Sequence, residues 1–534
     1  MRVKILPVGL EVEAGRGELL ADVLSRAIVF SLPCGGAGYC GGCVVRLVEG
    51  ELSEPSKEEE LTGVLAKGFR LACRARVLGN VVVEVPRAAP VATVSSIMPV
   101  LEPDPLIRPL DERDEVLPRA LPNPSFSYEG LAFRSGGRWL GLAVDLGTTN
   151  ISGALLDLKR GIAIVEGFVR NPQVSKGADI ITRMYRALNG EADELRNLAL
   201  RGVEELAEKL SKAAGISPEE VSALCIVGNS VMHALLLGLN LESLSRSPFE
   251  PPARYWIVGP ASNLGFDLLS EAWTLIPPPI AGFVGSDALA DLLVLQLLEI
   301  ERPALLIDLG TNSEVMLLTG REVLAASAPA GSAFESNVPS GIGGIRGAVR
   351  RVRLTDSGIK LDVEGKPLGL AGSGLISAIA EMLRKGLLSP SGKLSKELGG
   401  RLVLVEKPRK IEVTQRDVRE IQKAVAAVYS AWKVLMEKAG ISPSDLMGVY
   451  LAGTFGSNLD PDDALEIGLI PSVDSSKIVS LGNTALSGAK SILISRKAKE
   501  LAEKLPSMVR HVDLAREPNF TEIFIEGTFL SKRK

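Results

Sequence analysis

Four of the five cysteines fall in one stretch, Cys34, Cys40, Cys43 and Cys73, with the spacing C-x5-C-x2-C-x29-C. Four thiolates so arranged suit a [2Fe–2S] cluster. The run Pro33-Cys34-Gly35-Gly36-Ala37-Gly38-Tyr39-Cys40-Gly41-Gly42-Cys43 is rich in glycine. A loop wrapping a cluster needs positive φ at several positions and backbone N–H groups close to sulfur, where their dipoles stabilise an added electron. A structural zinc site also takes four cysteines, usually as two C-x2-C pairs. Only Cys40 and Cys43 form such a pair here. The fifth, Cys225, stands in an apolar run and reads as core. With only His233 and His511 present, a multi-histidine metal site is excluded and a Ser-His-Asp hydrolase is disfavoured. His233, in an apolar helix over 231–237, reads as packed.

A second chemistry lies in an internal repeat. Leu142-Ala143-Val144-Asp145-Leu146-Gly147-Thr148-Thr149-Asn150 recurs as Leu305-Leu306-Ile307-Asp308-Leu309-Gly310-Thr311-Asn312-Ser313. Each copy is an apolar strand, a D-L-G-T turn and a second apolar strand. A tight turn between strands aims N–H groups and hydroxyls at phosphate oxygens. Gly147, Thr148, Thr149 and Asn150 would cradle phosphate from one side, and Gly310, Thr311, Asn312 and Ser313 from the other. Asp145 and Asp308 would hold Mg²⁺ through its water shell. One such turn is common hairpin chemistry. Two in matching contexts point to ATP. Gly372-Ser373-Gly374 opens a helix and offers an anion or adenosine site. Gly453 and Gly456 end a buried strand in a glycine turn. No G-x-x-x-x-G-K-[ST] occurs, so this is not a P-loop enzyme.

The elements that must position these groups follow from the pattern of the 534 residues. Residues 1–86 read as a small domain: a hairpin, a helix over 19–27, the cysteine loop, and strands at 44–48 and 81–85. Residues 87–138 read as a linker, with eight prolines from Pro90 to Pro124. From 139 onward strands and helices alternate, giving halves 139–300 and 301–534. The fold class is α/β: a ferredoxin-like β-grasp domain, a linker, then two actin-like halves with duplicated phosphate turns. Hydrophobic residues are 46%, aromatics 4%, and the net charge is −4. That balance gives no reason to bind nucleic acid or an anionic membrane. No signal peptide and no long apolar run stand out, so a soluble, cytoplasmic protein is expected.

The cysteine loop resembles plant-type ferredoxins, with a first gap of five residues in place of four. That gap and the closing Arg70-Leu71-Ala72-Cys73 look like the ferredoxin domain of the reductive activators of corrinoid proteins. The paired turns resemble the superfamily of acetate and sugar kinases, heat-shock chaperones and actin, with Leu451 to Gly453 matching its adenosine motif and Ala452 replacing the commoner glycine. Asn171-Pro172-Gln173 with Gly177-Ala178-Asp179, Val227 to His233, Val284 to Asp287, Ala333-Phe334-Glu335 and Gly372 to Ile376 extend the likeness to the activators over nearly the whole chain. Ala330-Gly331-Ser332 departs from the family's A-G-P, and the region around Gly343-Gly344-Ile345 follows it loosely.

The resemblance implies ATP-dependent return of one electron to a cobalamin that has oxidised from Co(I) to Co(II). The implied partners are a corrinoid protein or corrinoid methyltransferase and an electron donor. Some members of the superfamily pair, which admits a homodimer. A [2Fe–2S] ferredoxin sits near ~−400 mV, and each ~59 mV uphill is a factor of ten in equilibrium. The Co(I) couple is more reducing, so ATP must supply the difference through two conformations of unequal affinity. Two alternatives stay open: a kinase-type phosphotransferase fused to a ferredoxin, and a redox carrier with a regulatory ATP site. Asp287 reads as a helix cap before a catalytic base. Glu58-Glu59-Glu60 reads as a solvated face.

Overall fold

The structure is a computed structural model that describes residues 1–6, 10–25, 43–61, 64–65, 68–85, 96–110, 132–135, 139–310, 312–330, 340–342, 347–406, 410–456 and 459–533.

In the N-terminal domain Val3 and Ile5 are buried while Arg2 and Lys4 are exposed, the two-residue period of a strand with one covered face. The strands are β1 (Arg2–Leu6), β2 (Leu10–Glu13), β3 (Val44–Leu52), β4 (Arg70–Leu71) and β5 (Val77–Glu84). They form one sheet in the order β2-β1-β5-β3-β4, with β1 parallel to β5. Leu20, Val23 and Leu24 of the helix Leu20–Ser25 join Val3, Ile5 and Val83 in its core. This is the expected ferredoxin-like domain. Residues 26–27, placed in that helix by the sequence, lie outside the described residues.

β6 (Arg108–Leu110) and β7 (Ala132–Ser135) make a short parallel pair. Just before them the proline-rich segment is packed down. Leu106 and Ile107 are buried, the Asp104 N–H donates to Ile494 O (2.9 Å), and the Arg496 N–H donates to Asp104 O (2.8 Å).

The first half carries β8 (Leu140–Leu146), β9 (Asn150–Asp157), β10 (Ile162–Arg170), β11 (Ala223–Val227), β12 (Ile257–Pro260) and β13 (Trp273–Ile276), in the order β10-β9-β8-β11-β13-β12. The second carries β14 (Ala304–Leu309), β15 (Ser313–Leu318) and β16 (Val323–Ala328), then β17 (Ala348–Thr355), β18 (Gly358–Val363), β19 (Gly369–Leu370), β20 (Arg401–Val405) and β21 (Ile411–Thr414) in smaller sheets. It closes with β22 (Gly448–Ala452), β23 (Ile478–Gly482) and β24 (Val509–His511). Its main sheet has the order β23-β22-β14-β15-β16-β24. Each main sheet is an antiparallel triplet, β8-β9-β10 or β14-β15-β16, flanked by a parallel strand on the first member, β11 or β22. The repeat seen in sequence is a repeat of topology.

Helices cover both faces, so the strands are almost continuously apolar. Leu142, Val144 and Leu146 face the helix Ala192–Ala214, while Ala143 faces the helices Ser286–Leu297 and Thr484–Ile494. The last of these follows β23 in the chain but packs into the core of the first half, as does the helix Arg496–Met508. The cleft between the sheets is thus bridged from behind.

Candidate functional site

Both D-L-G-T turns sit at the ends of the first strands of their triplets. At the first turn a Cβ on Gly147 would meet Asn150 O at 2.6 Å, so the turn closes only around glycine. Side chains from three elements tie it down. Asn171 Nδ2 donates to Gly147 O (2.8 Å), and its backbone N–H donates to Thr149 O (2.9 Å). Arg183 Nη2 donates to Thr148 O (2.5 Å), and Asn229 Nδ2 to Thr148 Oγ1 (3.2 Å). With the carbonyls drawn back, the N–H groups of Gly147, Thr148 and Thr149 meet no acceptor among the described residues. This is the geometry of an anion cradle.

At the second turn the Gly310 N–H donates to Asn312 O (3.2 Å). Thr311 lies outside the described residues. Gly453 has φ +81°, and a Cβ there would meet Asp308 Oδ1 at 2.3 Å and Leu309 O at 2.9 Å. Gly453 therefore lets the chain approach the second phosphate turn itself, a tighter demand than contact with a base, and Ala452 beside it is simply buried core. Gly456 meets only ordinary contacts. Gly372, Ser373 and Gly374 begin the helix Gly372–Arg384, whose N-cap Ala371 provides no side-chain cap. A Cβ on Gly374 would lie 1.9 Å from Val349 O, and Ser373 Oγ donates to Arg350 O (3.0 Å). Those two residues seat the helix on β17.

Five carboxylates from both halves, Asp291 and Glu314 buried and Asp145, Asp287 and Asp308 half-buried, lie near enough to feel one another's charge. Asp145 accepts from Asn483 Nδ2 (2.8 Å), and Asp291 accepts from Thr484 Oγ1 (2.6 Å). Burial, with the charge of Asp308 adding, pushes Asp145 up to about 7. Burial lifts Asp308 to about 6 against a hydrogen bond with Asp291. Asp287 rises to about 7, first from burial and then from the charges of Asp145 and Asp308. Asp291 and Glu314 are held well above the carboxylate range by burial and by the same neighbours. Asp308 Oδ1, Asp291 Oδ2 and Ser313 Oγ are sealed from solvent and, as atoms, meet no hydrogen-bond partner among the described residues. No three acids among the described residues stand close enough to ligate an ion together, but Mg²⁺ keeps several waters and takes only one or two carboxylates, a demand that Asp145 and Asp308 fit.

Asp287 corrects the sequence reading. The cap of the helix Ser286–Leu297 is Gly285, and Asp287 is its second residue, turned into the carboxylate group. Asp291 and Glu314 went unread. The i, i+4 spacing of Asp287 and Asp291 on an otherwise apolar helix was the available signal.

In the ferredoxin domain Cys43 Sγ and Cys73 Sγ are buried and 3.2 Å apart, and no disulfide joins them. The Cys73 thiol is lowered, chiefly by its hydrogen bond with Cys43. Two buried, convergent, unbridged sulfurs fit a cluster. Cys34 and Cys40 lie outside the described residues, as do Ala333-Phe334-Glu335 and Gly343-Gly344-Ile345. Of the acidic run, Glu60 is exposed as read and Glu58 is half-buried, but Glu59 is not part of a solvated face. Glu59 is fully buried, pairs with Arg70 Nε (2.8 Å), and accepts the Leu71 N–H (2.8 Å) and the Ser56 N–H (2.8 Å). It anchors the segment that delivers Cys73. A cleft of about 450 Å³ lined by Cys73, Arg74, Arg76, Lys176 and Arg186 separates this domain from the first half. His233 is buried and lowered to about 4 by desolvation, and Cys225 is buried; both are core residues as expected.

Three family models match the chain: a 2Fe-2S iron-sulfur cluster binding domain over residues 3–78, the RACo middle region over 140–299, and the C-terminal ASKHA domain of RACo over 302–534. A corrinoid activation enzyme, RamQ, of Eubacterium limosum is 29% identical over 603 residues, spanning 99% of each chain. A [Co(II) methylated amine-specific corrinoid protein] reductase of Methanosarcina barkeri is 27% identical, covering 72% of this chain and 76% of its own. The solved structure of a reductive activator for a corrinoid, iron-sulfur protein superposes with a TM-score of 0.71 at 26% identity, over 99% of this chain and 98% of that one.

Proposed function

The chain belongs to the reductive activators of corrinoid proteins, and from that premise we propose how its residues divide the work. It is an ATP-hydrolysing activase that passes an electron from a [2Fe–2S] cluster to a corrinoid protein. The reduction we assign is Co(II) to Co(I). Cys34, Cys40, Cys43 and Cys73 would hold the cluster, which supplies a single electron at low potential. Glu59 and Arg70 fix the segment carrying Cys73.

In the cleft, the free N–H groups of Gly147, Thr148 and Thr149, with Asn150, receive phosphate oxygens from one side. Gly310, Thr311, Asn312 and Ser313 receive them from the other. Asp145 and Asp308 would hold Mg²⁺, which neutralises phosphate charge. Asn483 orients Asp145. Asp287 Oδ1 is occupied by the Ala288 N–H (2.8 Å), which leaves Oδ2 to take the proton of an attacking water. A carboxylate lifted to about 7 is a competent base at neutral pH. Gly372, Ser373 and Gly374 place a helix N-terminus toward the nucleotide, and Gly453 and Gly456 close its far wall.

The boundaries 1–86, 87–138, 139–300 and 301–534 describe the division of labour, with the helices Thr484–Ile494 and Arg496–Met508 shared between the halves. A separate electron donor, a homodimeric state and a cytoplasmic location complete the proposal.

The observation that carries this reading is the convergence of carboxylates from both D-L-G-T units in one cleft, on the same chain as a buried cysteine pair. Its test is anaerobic purification with iron and sulfide analysis, then reduction of a Co(II) corrinoid protein with and without Mg-ATP. Reduction at the same rate without nucleotide, or an iron-free preparation, refutes it. A small molecule phosphorylated in step with ATP use would put the phosphotransferase in its place.

A further inference from the structure

Two arginines flank the first phosphate turn without a carboxylate partner among the described residues. Arg170 ends β10 and lies across the ladder from Asn150. Arg183 is fully buried in the helix Ile180–Arg186. Its Nε donates to Gly177 O (2.9 Å), its Nη1 to Gln173 Oε1 (3.1 Å) and Met232 Sδ (3.1 Å), and its Nη2 to Thr148 O (2.5 Å). Every one of those acceptors is uncharged. Asp179, the carboxylate that acts on Arg183 from a distance, gives its oxygens to the N–H and Oγ1 of Thr182. Arg170 Nη1 is sealed from solvent and donates to nothing, and Asn150 Oδ1 is likewise sealed and unpartnered.

Burial lowers both guanidinium groups to about 9; the charge of Arg183 lowers Arg170 further, while that of Asp179 partly offsets the fall at Arg183. Desolvated charge of one sign is unfavourable unless an opposite charge arrives. Beside this pair stand the three N–H groups of the turn that also lack acceptors. Arg170 Nη1 and the free donors of the turn therefore lack the same thing among the described residues, an oxyanion to accept from them.

We propose that Arg170 is the cation that takes the terminal phosphate of a nucleoside triphosphate at the first turn, with Asn150 beside it and Arg183 as a positioning residue. Arg183 holds the turn through Thr148 O and does not itself touch phosphate. Asn150 serves with its amide turned over, so that Nδ2 faces the phosphate and the orphaned Oδ1 is relieved. The ligand class is a phosphate dianion, supplied by the end of ATP before hydrolysis or by inorganic phosphate after it. The proposal rests on the nucleotide reading above and adds discrimination of triphosphate from diphosphate.

The test uses the full chain, loaded with its cluster, in calorimetric titrations with a non-hydrolysable Mg-ATP analogue, with Mg-ADP, and with inorganic phosphate added to the ADP-bound protein. Loss of one charge-assisted contact predicts that Arg170→Met weakens the ATP analogue by about tenfold or more and leaves ADP within about twofold. Phosphate binding to the ADP form should disappear with it. Arg170→Lys keeps a point charge and should restore part of the ATP preference; it also serves if the methionine variant does not fold. An unchanged ratio of ATP to ADP affinity in either variant, or an equal loss for both nucleotides, overturns the assignment. A wild-type chain that binds neither nucleotide overturns the underlying reading together with this one, and is told apart by the ADP arm.

Discussion

The two D-L-G-T turns share a sequence and a place in their sheets, yet they are supported differently. Behind the first stand Asn171, Arg183 and Asn229, each with a donor on the turn. The second has, among the described residues, its own Gly310 to Asn312 bond and the close approach of Gly453. Duplication kept the face that meets phosphate and let the reverse side diverge. A turn braced by three side chains can serve as a fixed reference for the phosphate. That is the asymmetry an ATP-driven machine needs if nucleotide is to favour one arrangement of two halves.

The comparison has clear ways to fail. The largest effect should come where the turns are equivalent. Asp145→Asn and Asp308→Asn should each lower ATP hydrolysis by on the order of 10²–10³-fold, since each removes a carboxylate from the same cation site. A wide difference between the two rates would break the symmetry. The next should come where the turns differ. Arg183→Met leaves Thr148 O and Gly177 O without their side-chain donor and should lower unfolding stability by about 3 kcal/mol in denaturant titration. Ser313→Ala, at a hydroxyl with no partner, should cost less than about 0.5 kcal/mol. Equal losses would erase the contrast.

The acid cluster makes a subtler prediction. Asp145 and Asp287 rise to about 7 and Asp308 to about 6, all above their unfolded value of 3.8. Groups raised on folding contribute stability that is complete below the unfolded value and lost as pH climbs through the folded one. The metal-free protein should therefore be less stable at pH 8 than at pH 5 with respect to these groups. Mg²⁺, which favours the ionised forms, should bind more tightly as pH rises from 5 to 8 and release protons at pH 7, measurable by calorimetry in buffers of different ionisation enthalpy. Flat Mg²⁺ affinity over that range would disprove the shared, protonated cluster. The smallest effect is local. Nucleotide should slow amide exchange at Gly147, Thr148 and Thr149, whose N–H groups meet no acceptor among the described residues.

Much of this was legible because ligation and phosphate binding place strict local demands on sequence. The Cys40-x2-Cys43 pair, the glycines around it and the D-L-G-T repeat each state their chemistry within a few residues. Asp145 and Asp308 followed from the same turns. The braces did not. Arg183 and Asn171 meet the first turn only after β10 has run back along β9 and the chain has folded over its end. Glu314 read as one strand residue among many, and Asp291 as one helix residue. Glu59 read as one of three exposed acids, although a helical turn sends neighbours in different directions and this one points inward to Arg70. The proline-rich stretch read as a spacer, yet Leu106 and Ile107 are core.

What the order of residues determined alone was the inventory: four thiols at ligating distances along the chain, two phosphate turns, and strands whose spacing repeats. These depend on contacts between residues near in sequence, where periodicity and turn chemistry act directly. What only the tertiary structure decided was which charges meet. Five carboxylates feel one another's charge, and two arginines stand beside a phosphate turn with no carboxylate partner among the described residues, because elements distant in the chain, among them helices from the far end packed into the first half, bring them together. The energy of a charge depends on its surroundings far more than on its neighbours in sequence, and those surroundings exist only once the chain has folded.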